Sequence, residues 1–265
     1  MINRNFKDFK FLHKKKQNQI LFTSKKIKGD KEILNLIENF LVEKNSFIFE
    51  SVEKGIIKGR YTIFGKKPDK IWEFNNSKSF YINKKNKKKK IKGDPKKIIE
   101  NLIENFKFNI PSDLPPICSL LSGYFSYDCI RYLEKIPNKC KDDLNLPDVR
   151  LLRPRILVIH DNLKKKIFYI VNVYKDEKIS NYKKKYAEIK NEIQNLIYQA
   201  SDKSKKNINF KSSKKIIVKS NTSKKKFLNM VNKAKKYIKI GDIFQVVLSQ
   251  RFEAKLSKKP LEIYK

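Results

Sequence analysis

Three pairs of β-rich runs, each closed over a short polar turn, constrain this chain more than anything else in its sequence. The first is SFIFESVEKGIIKGRYTIFG, two runs around Glu53-Lys54-Gly55. The second couples KSFYIN to KKKKIKG around Lys84–Asn86, and the third couples VRLLRPRILVIH to KKIFYIVNVY across His160-Asp161-Asn162. Runs joined by tight turns pair antiparallel, because a parallel return needs a crossover of about a dozen residues or more. Pro154 inside one run marks an edge or bulge position. A further strand is expected near Gln19–Phe22. ICSLLSGYFSYD reads as a buried strand with a bulge or close backbone approach at Gly123, running into a short helix, CIRYLEKI.

Amphipathic helices fall between these pairs. Ile33, Leu34, Ile37, Phe40 and Leu41 form one apolar stripe behind a cap at Asp30. Asp94-Pro95 pairs a cap with a proline at the first helical position and opens a helix burying Ile98, Ile99, Leu102, Ile103 and Phe106. A third helix is expected from Glu177 to Ala200, with Tyr182, Tyr186, Ile189, Ile193, Leu196 and Ile197 on one side. Residues 1–29 are basic and weakly patterned. Strand pairs and helices so interleaved read as mixed α and β structure, and residues 201–215, polar or basic and without period, read as an interdomain linker before a last stretch that starts at Ser220.

That last stretch is the most informative for function. In SNTSKKKFLNMVNKAKKYIKIGDIFQVVLSQRFEAK, residues Phe227, Met230, Val231, Ala234 and Ile238 share a helix face. Asn221 or Thr222 can cap its start, and Gly241 stands where a left-handed C′ residue is wanted. The period then falls to two, predicting a long strand with Phe244, Val246, Leu248 and Phe252 on one face and Gln245, Ser249 and Arg251 on the other. Pro260–Tyr264 begins a helix that Lys265 interrupts within two turns, so the chain reads as truncated.

A formal charge of +36 suggests a polyanion partner. Only seven of the 63 basic residues are Arg, however, and phosphate or base readers favour its bidentate fork. The run Lys87–Lys90 lacks interleaved aromatics and reads as a solvated strand edge, so neither nucleic acid nor membrane is expected as a partner. The three cysteines, Cys118, Cys129 and Cys140, show neither disulfide framework nor zinc spacing, and the sequence has neither a signal-peptide core nor a spanning run. A cytoplasmic location is expected. His13, His160 and the Asp142-Asp143/Asp148 group carry no catalytic pattern, and no phosphate loop or metal motif occurs.

GDIFQVVLSQRF after an AKKYI helix closely resembles the opening of the chorismate-binding domain in the anthranilate synthase component I family. LLSGYFSYDCIRYLEKIP, LPDVRLLRPRILVIHDNLKKKIFYIV and SFIFESVEKGIIKGRYTIFG resemble other segments of that family, in its order, from about Phe47 onward. The resemblance implies an antiparallel-sheet N-terminal regulatory α+β domain over residues 1–205, a linker over 206–219, and the first helix and strand of the chorismate-binding α/β sandwich domain over 220–265. It implies conversion of chorismate and ammonia to anthranilate and pyruvate, with magnesium as cofactor and a glutamine amidotransferase (component II) as ammonia-supplying partner. It also implies a site for L-tryptophan as feedback inhibitor, in which Glu50 and Ser51 match the family's paired glutamate and serine. Phe47, Ile48 and Phe49 stand where that family tends to leucine. The metal ligands and catalytic residues are expected downstream of Lys265, so catalytic and metal-binding residues in this chain are none, and Gln245, Ser249 and Arg251 are not assigned. Two alternatives stand: aminodeoxychorismate synthase component I, whose strand usually carries Asn where this chain has Val247, and a non-catalytic binding module for tryptophan or nucleic acid.

Overall fold

The computed structural model describes residues 2–27, 31–50, 59–75, 78–139, 141–201, 216–256 and 260–264. The chain divides into two compact units, Met1–Lys205 and Lys206–Lys265. The first unit is α+β. Its sheet runs in the order β1 (Gln19–Lys26), β8 (Lys166–Val173), β7 (Val149–Asp161), β3 (Tyr61–Asn75), β4 (Lys78–Asn83), β5 (Lys88–Ile91). Two shorter strands, β2 (Phe47–Phe49) on β3 and β6 (Ser122–Phe125) on β7, complete it, and every pairing is antiparallel. All three expected hairpins are therefore present, although the Glu53–Gly55 turn of the first lies outside the described residues.

The two central strands are long because they change partners half-way. At Ile63–Gly65, β3 has β7 on one side and β2 on the other, whereas at Lys70–Asn75 β4 takes the place of β2. The register shifts between Pro68 and Lys70, where Pro68 faces Pro154 and Lys67 adopts φ +50°. Neither proline has an N–H to give the ladder, so the irregularity falls where pairing is weakest. Pro154 thus marks a bulge in a central strand and no edge.

Alternation along β7 and β8 divides the apolar side chains between two faces. On one face Ile20, Phe22, Leu157, Ile159, Phe168 and Ile170 are covered by Leu114 and Cys118, with Phe108 and Ile117 at the margin. Towards the other end Trp72, Phe74, Val149 and Leu151 are covered by α3 (Pro95–Glu104) and by the 3-10 turn Tyr127–Tyr132. The opposite face carries α1 (Phe6–Lys14), α2 (Lys31–Phe40) and α4 (Tyr182–Ser201), which bury Phe9, Leu36, Phe40, Ile189, Ile193 and Leu196.

Several expectations are corrected. Helix α1 was not expected in the N-terminal segment. It forms because Asn5 Oδ1 accepts the Asp8 N–H at 2.9 Å, and Phe6 and Phe9 then meet the rings of Tyr186 and Tyr182. Helix α4 begins at Tyr182, since Glu177 is held instead by Lys185. In α3, Ile103 is 58% exposed and lies off the buried face. ICSLLSGYFSYD supplies only the four-residue β6, whose Tyr124 and Phe125 are exposed. At Gly123 the expected close approach is real: a Cβ there would lie 1.8 Å from the Arg150 carbonyl oxygen. His160 is buried within β7 opposite Thr62 and Ile167, and the turn lies beyond it. Asp30 and the side chain of Leu34 lie outside the described residues.

In the second unit α5 (Lys224–Lys239) is capped by Ser223, whose Oγ accepts the Lys226 N–H, and not by Asn221 or Thr222. Asn221 is occupied elsewhere, accepting the Arg251 N–H at 2.9 Å. Gly241 (φ +85°) ends the helix as expected: its N–H reaches the Ile238 carbonyl, and the Asp242 N–H reaches that of Tyr237. This is the reciprocal bonding of a Schellman cap. The long strand expected after it is absent. Residues 243–251 are irregular, and only β10 (Phe252–Ala254) pairs, with β9 (Val218–Ser220). Ladder bonds form only where a partner strand lies alongside, and β9 offers three residues.

Candidate functional site

The expected inhibitor pair can be placed only in part. Glu50 is the first residue after β2 and is exposed, and Ser51 lies outside the described residues. What brings β2 to its place is well defined. Phe47 pairs with Gly65, and its ring stands 2.1 Å from where a Cβ on Gly65 would be, so only glycine lets this ring enter the core beside Tyr61 and Ile63. The turn before β2 is closed by Ser46, whose Oγ donates to the Glu43 carbonyl at 2.6 Å. Asn45 sits in the left-handed region (φ +60°), and its Oδ1 accepts from Arg150 Nη2 at 2.8 Å.

Arg150 also donates from Nε to Glu73 Oε1 at 3.2 Å, and Lys88 Nζ donates to Glu73 Oε2 at 2.9 Å. Burial alone would raise the Glu73 carboxyl, but these two cations outweigh it and hold it below its ordinary range. A cleft of about 440 Å³ opens beside this cluster, lined by Glu73, Asn75, Lys78, Phe80 and Lys88. A second, of about 310 Å³, lies against α4 between Lys67, Arg155, Glu188 and Glu192. Glu50 lines neither.

Several other ionisable groups are tied into the frame. Arg153, 8% exposed, bonds Asp69 through Nε and Nη2 and Asp176 Oδ1 at 2.9 Å, and its guanidinium lies 3.9 Å from the Tyr174 ring centroid. Asp148 accepts the Tyr132 hydroxyl at 2.7 Å, while Asp142 accepts two backbone N–H groups of its own turn. Burial pushes the Cys118 thiol up to about 11, the behaviour of a core residue and not of a nucleophile. His13 is buried with Nδ1 3.0 Å from the Tyr182 hydroxyl, and burial lowers its pKa. In the second unit Arg251 meets Glu253 at 2.9 Å, and Gln250 accepts from Ser220 Oγ at 3.1 Å. Among the described residues no three His, Cys, Asp or Glu side chains converge as metal ligands. No described helix is long and apolar enough to cross a membrane.

The sequence model of the family described as chorismate binding enzyme matches residues 45–265. The chain belongs to that family. Over 237 residues it is 35% identical to an anthranilate synthase component 1 from Acetivibrio thermocellus, covering 88% of this chain and 48% of that protein. Over 267 residues it is 30% identical to the Cereibacter sphaeroides protein of the same description, covering 98% and 53%. A chloroplastic anthranilate synthase alpha subunit 1 from Oryza sativa is 32% identical over 240 residues, covering 84% and 41%. Among solved structures, anthranilate synthase component I from Streptococcus pneumoniae aligns with a TM-score of 0.64 at 23% identity, over 84% of this chain and 47% of that one. That last likeness speaks for the fold alone. The chain spans about half the length of the curated relatives it matches.

Residues that sequence reading passed over are those bonded to or within the segment before β2: Lys66, which donates to Glu43 at 3.0 Å, Asn45, and Arg150, which donates to Asn45. Lysine and arginine inside strands that carry many of them give no signal of their own. Asn45 in Glu-Lys-Asn-Ser had a turn composition that could have been used.

Proposed function

We infer that this chain is the N-terminal portion of an anthranilate synthase component I. It supplies a regulatory α+β unit (1–205), a linker (206–219) and the opening of the chorismate-binding unit (220–265). The supporting observation is the colinear likeness to anthranilate synthase component 1 proteins, which at 30–35% identity runs through most of the chain. The whole protein takes chorismate and ammonia to anthranilate and pyruvate, releasing water, in tryptophan biosynthesis. Magnesium, when bound, supplies Lewis-acid assistance to loss of the hydroxyl. A glutamine amidotransferase subunit supplies the ammonia, and the enzyme works in the cytoplasm.

The part assigned to this chain is control. L-Tryptophan binds at the end of β2, with Glu50 taking the ammonium and Ser51 hydrogen bonding an end group of the ligand. The 265-residue chain by itself is expected to leave chorismate unchanged. The test is to supply the protein, as its gene encodes it, with chorismate, ammonia and magnesium and to identify the product. Anthranilate supports this reading, and aminodeoxychorismate would place the protein in the folate branch despite Val247.

A further inference from the structure

We propose that Lys66 is a positioning residue for the inhibitor strand: its buried ammonium holds the Glu43–Phe47 segment against the sheet and so sets where Glu50 stands. The functional half of this inference rests on the reading that Glu50 and Ser51 take tryptophan. The structural half stands without it.

Lys66 lies in the middle of β3 and is 1% exposed. Its Nζ donates to Glu43 Oε1 at 3.0 Å and to Gln199 Oε1 at 3.4 Å, and it stands 4.5 Å from the centroid of Phe40. One amine thereby joins a central strand, the turn that leads into β2 and the C-terminal end of α4. Burying an ammonium is costly, and an apolar side chain of the same length would serve packing as well or better. What a charge adds is direction, since it stabilises the one arrangement that brings a carboxylate to it.

Two further tethers act on the same five residues. Gly65, adjacent to Lys66 and on the opposite face by strand alternation, receives the ring of Phe47. Arg150 of β7 holds Asn45 at 2.8 Å. Glu43, Asn45 and Phe47 are therefore each fixed to a different point of the β3–β7 frame, and Glu50 follows three residues later. β2 itself is only three residues long, too short to hold its own register by ladder bonds. The register must come from outside the strand, and these tethers supply it.

The experiment uses Lys66→Met, Glu43→Gln, Asn45→Gly and Ser51→Ala in the protein as its gene encodes it. Hydrogen exchange of the Phe47–Phe49 amides is read beside that of β1 and β8, with calorimetric titration of L-tryptophan. Lys66→Met is expected to lose protection in β2 while the β1–β8 ladder keeps its own. If the positioned strand falls to about one molecule in ten, the apparent Kd for tryptophan rises about tenfold. Glu43→Gln, which keeps an acceptor, should retain most of both properties. Asn45→Gly, compatible with the positive φ, should loosen β2 in the same local way, which keeps the idea testable should Lys66→Met fail to fold. Unchanged β2 protection in a folded Lys66→Met would overturn the proposal whatever Asn45→Gly shows; should Lys66→Met not fold, unchanged protection in Asn45→Gly, or protection lost evenly across the sheet there, would do so. A tryptophan affinity untouched by Ser51→Ala, or absent from the wild type, would instead overturn the Glu50–Ser51 reading and leave the exchange result to decide positioning.

Discussion

Replacing Arg153 by methionine should cost the first unit about 3 kcal/mol, and the structure shows why the figure is that large. The guanidinium is almost wholly enclosed and is the cation for two carboxylates, Asp69 and Asp176, as well as the partner of the Tyr174 ring. Removing one member of a buried ionic group leaves the others desolvated without compensation, typically about 3–5 kcal/mol. The lower end applies here because Asp176 is 37% exposed and keeps Lys70. For a unit of this size, about 3 kcal/mol corresponds to a melting point lowered by roughly 6–12 °C. Trp72 is the sole tryptophan of the chain, is buried in this unit, and has Arg153 5.8 Å from its ring, so its fluorescence reports this unfolding selectively. Lys67→Ala, which breaks the more exposed bridge to Glu192, is the control and should change stability by no more than about 0.5 kcal/mol. A melting point for Arg153→Met within about 2 °C of wild type, on that scale of a few degrees per kcal/mol, would refute the reasoning about buried charge.

Further expectations follow from other sites. Gly123→Ala places a Cβ into the Arg150 carbonyl, so β6 must part from β7; amides Gly123–Phe125 should lose exchange protection at a cost of about 1–3 kcal/mol, and unchanged protection would contradict the close approach. Asp161 would be raised by burial, but Arg60 and the N–H groups of Lys164 and Leu163 outweigh that and hold its pKa below the ordinary value. Its contribution to stability is therefore full above about pH 4, the unfolded value, and is lost as pH falls through the lower folded value. Denaturation titrations between pH 6 and 3 should show Asp161→Asn with a shallower acid loss than wild type, and parallel curves would count against the assignment.

The local chemistry of the chain was readable where it is self-contained. Asp94-Pro95 starts α3 with its side chain on the Lys96 N–H, and Gly241 ends α5 with a reciprocal cap, because caps depend on a few adjacent residues. The three hairpins were legible for the same reason. What escaped depended on partners distant in sequence. The continuation of β3 past Gly65 through Lys66-Lys67-Pro68 looks like a turn by composition, and is strand because β7 lies along it. Among the described residues the strand pattern of 243–251 meets no partner strand, and these residues are irregular. At the candidate site, the pattern around Glu50 and Ser51 was visible through family likeness. The Lys66–Glu43 and Arg150–Asn45 contacts that position it span 23 and 105 residues and have no sequence signature.

The rate of anthranilate formation as L-tryptophan is titrated, for wild type and Ser51→Ala side by side, tests the central claim most directly. The account predicts anthranilate as product, inhibition by tryptophan in the wild type, and a need for more tryptophan in Ser51→Ala at little change in the uninhibited rate. A different product, or a rate indifferent to tryptophan in both proteins, would contradict it.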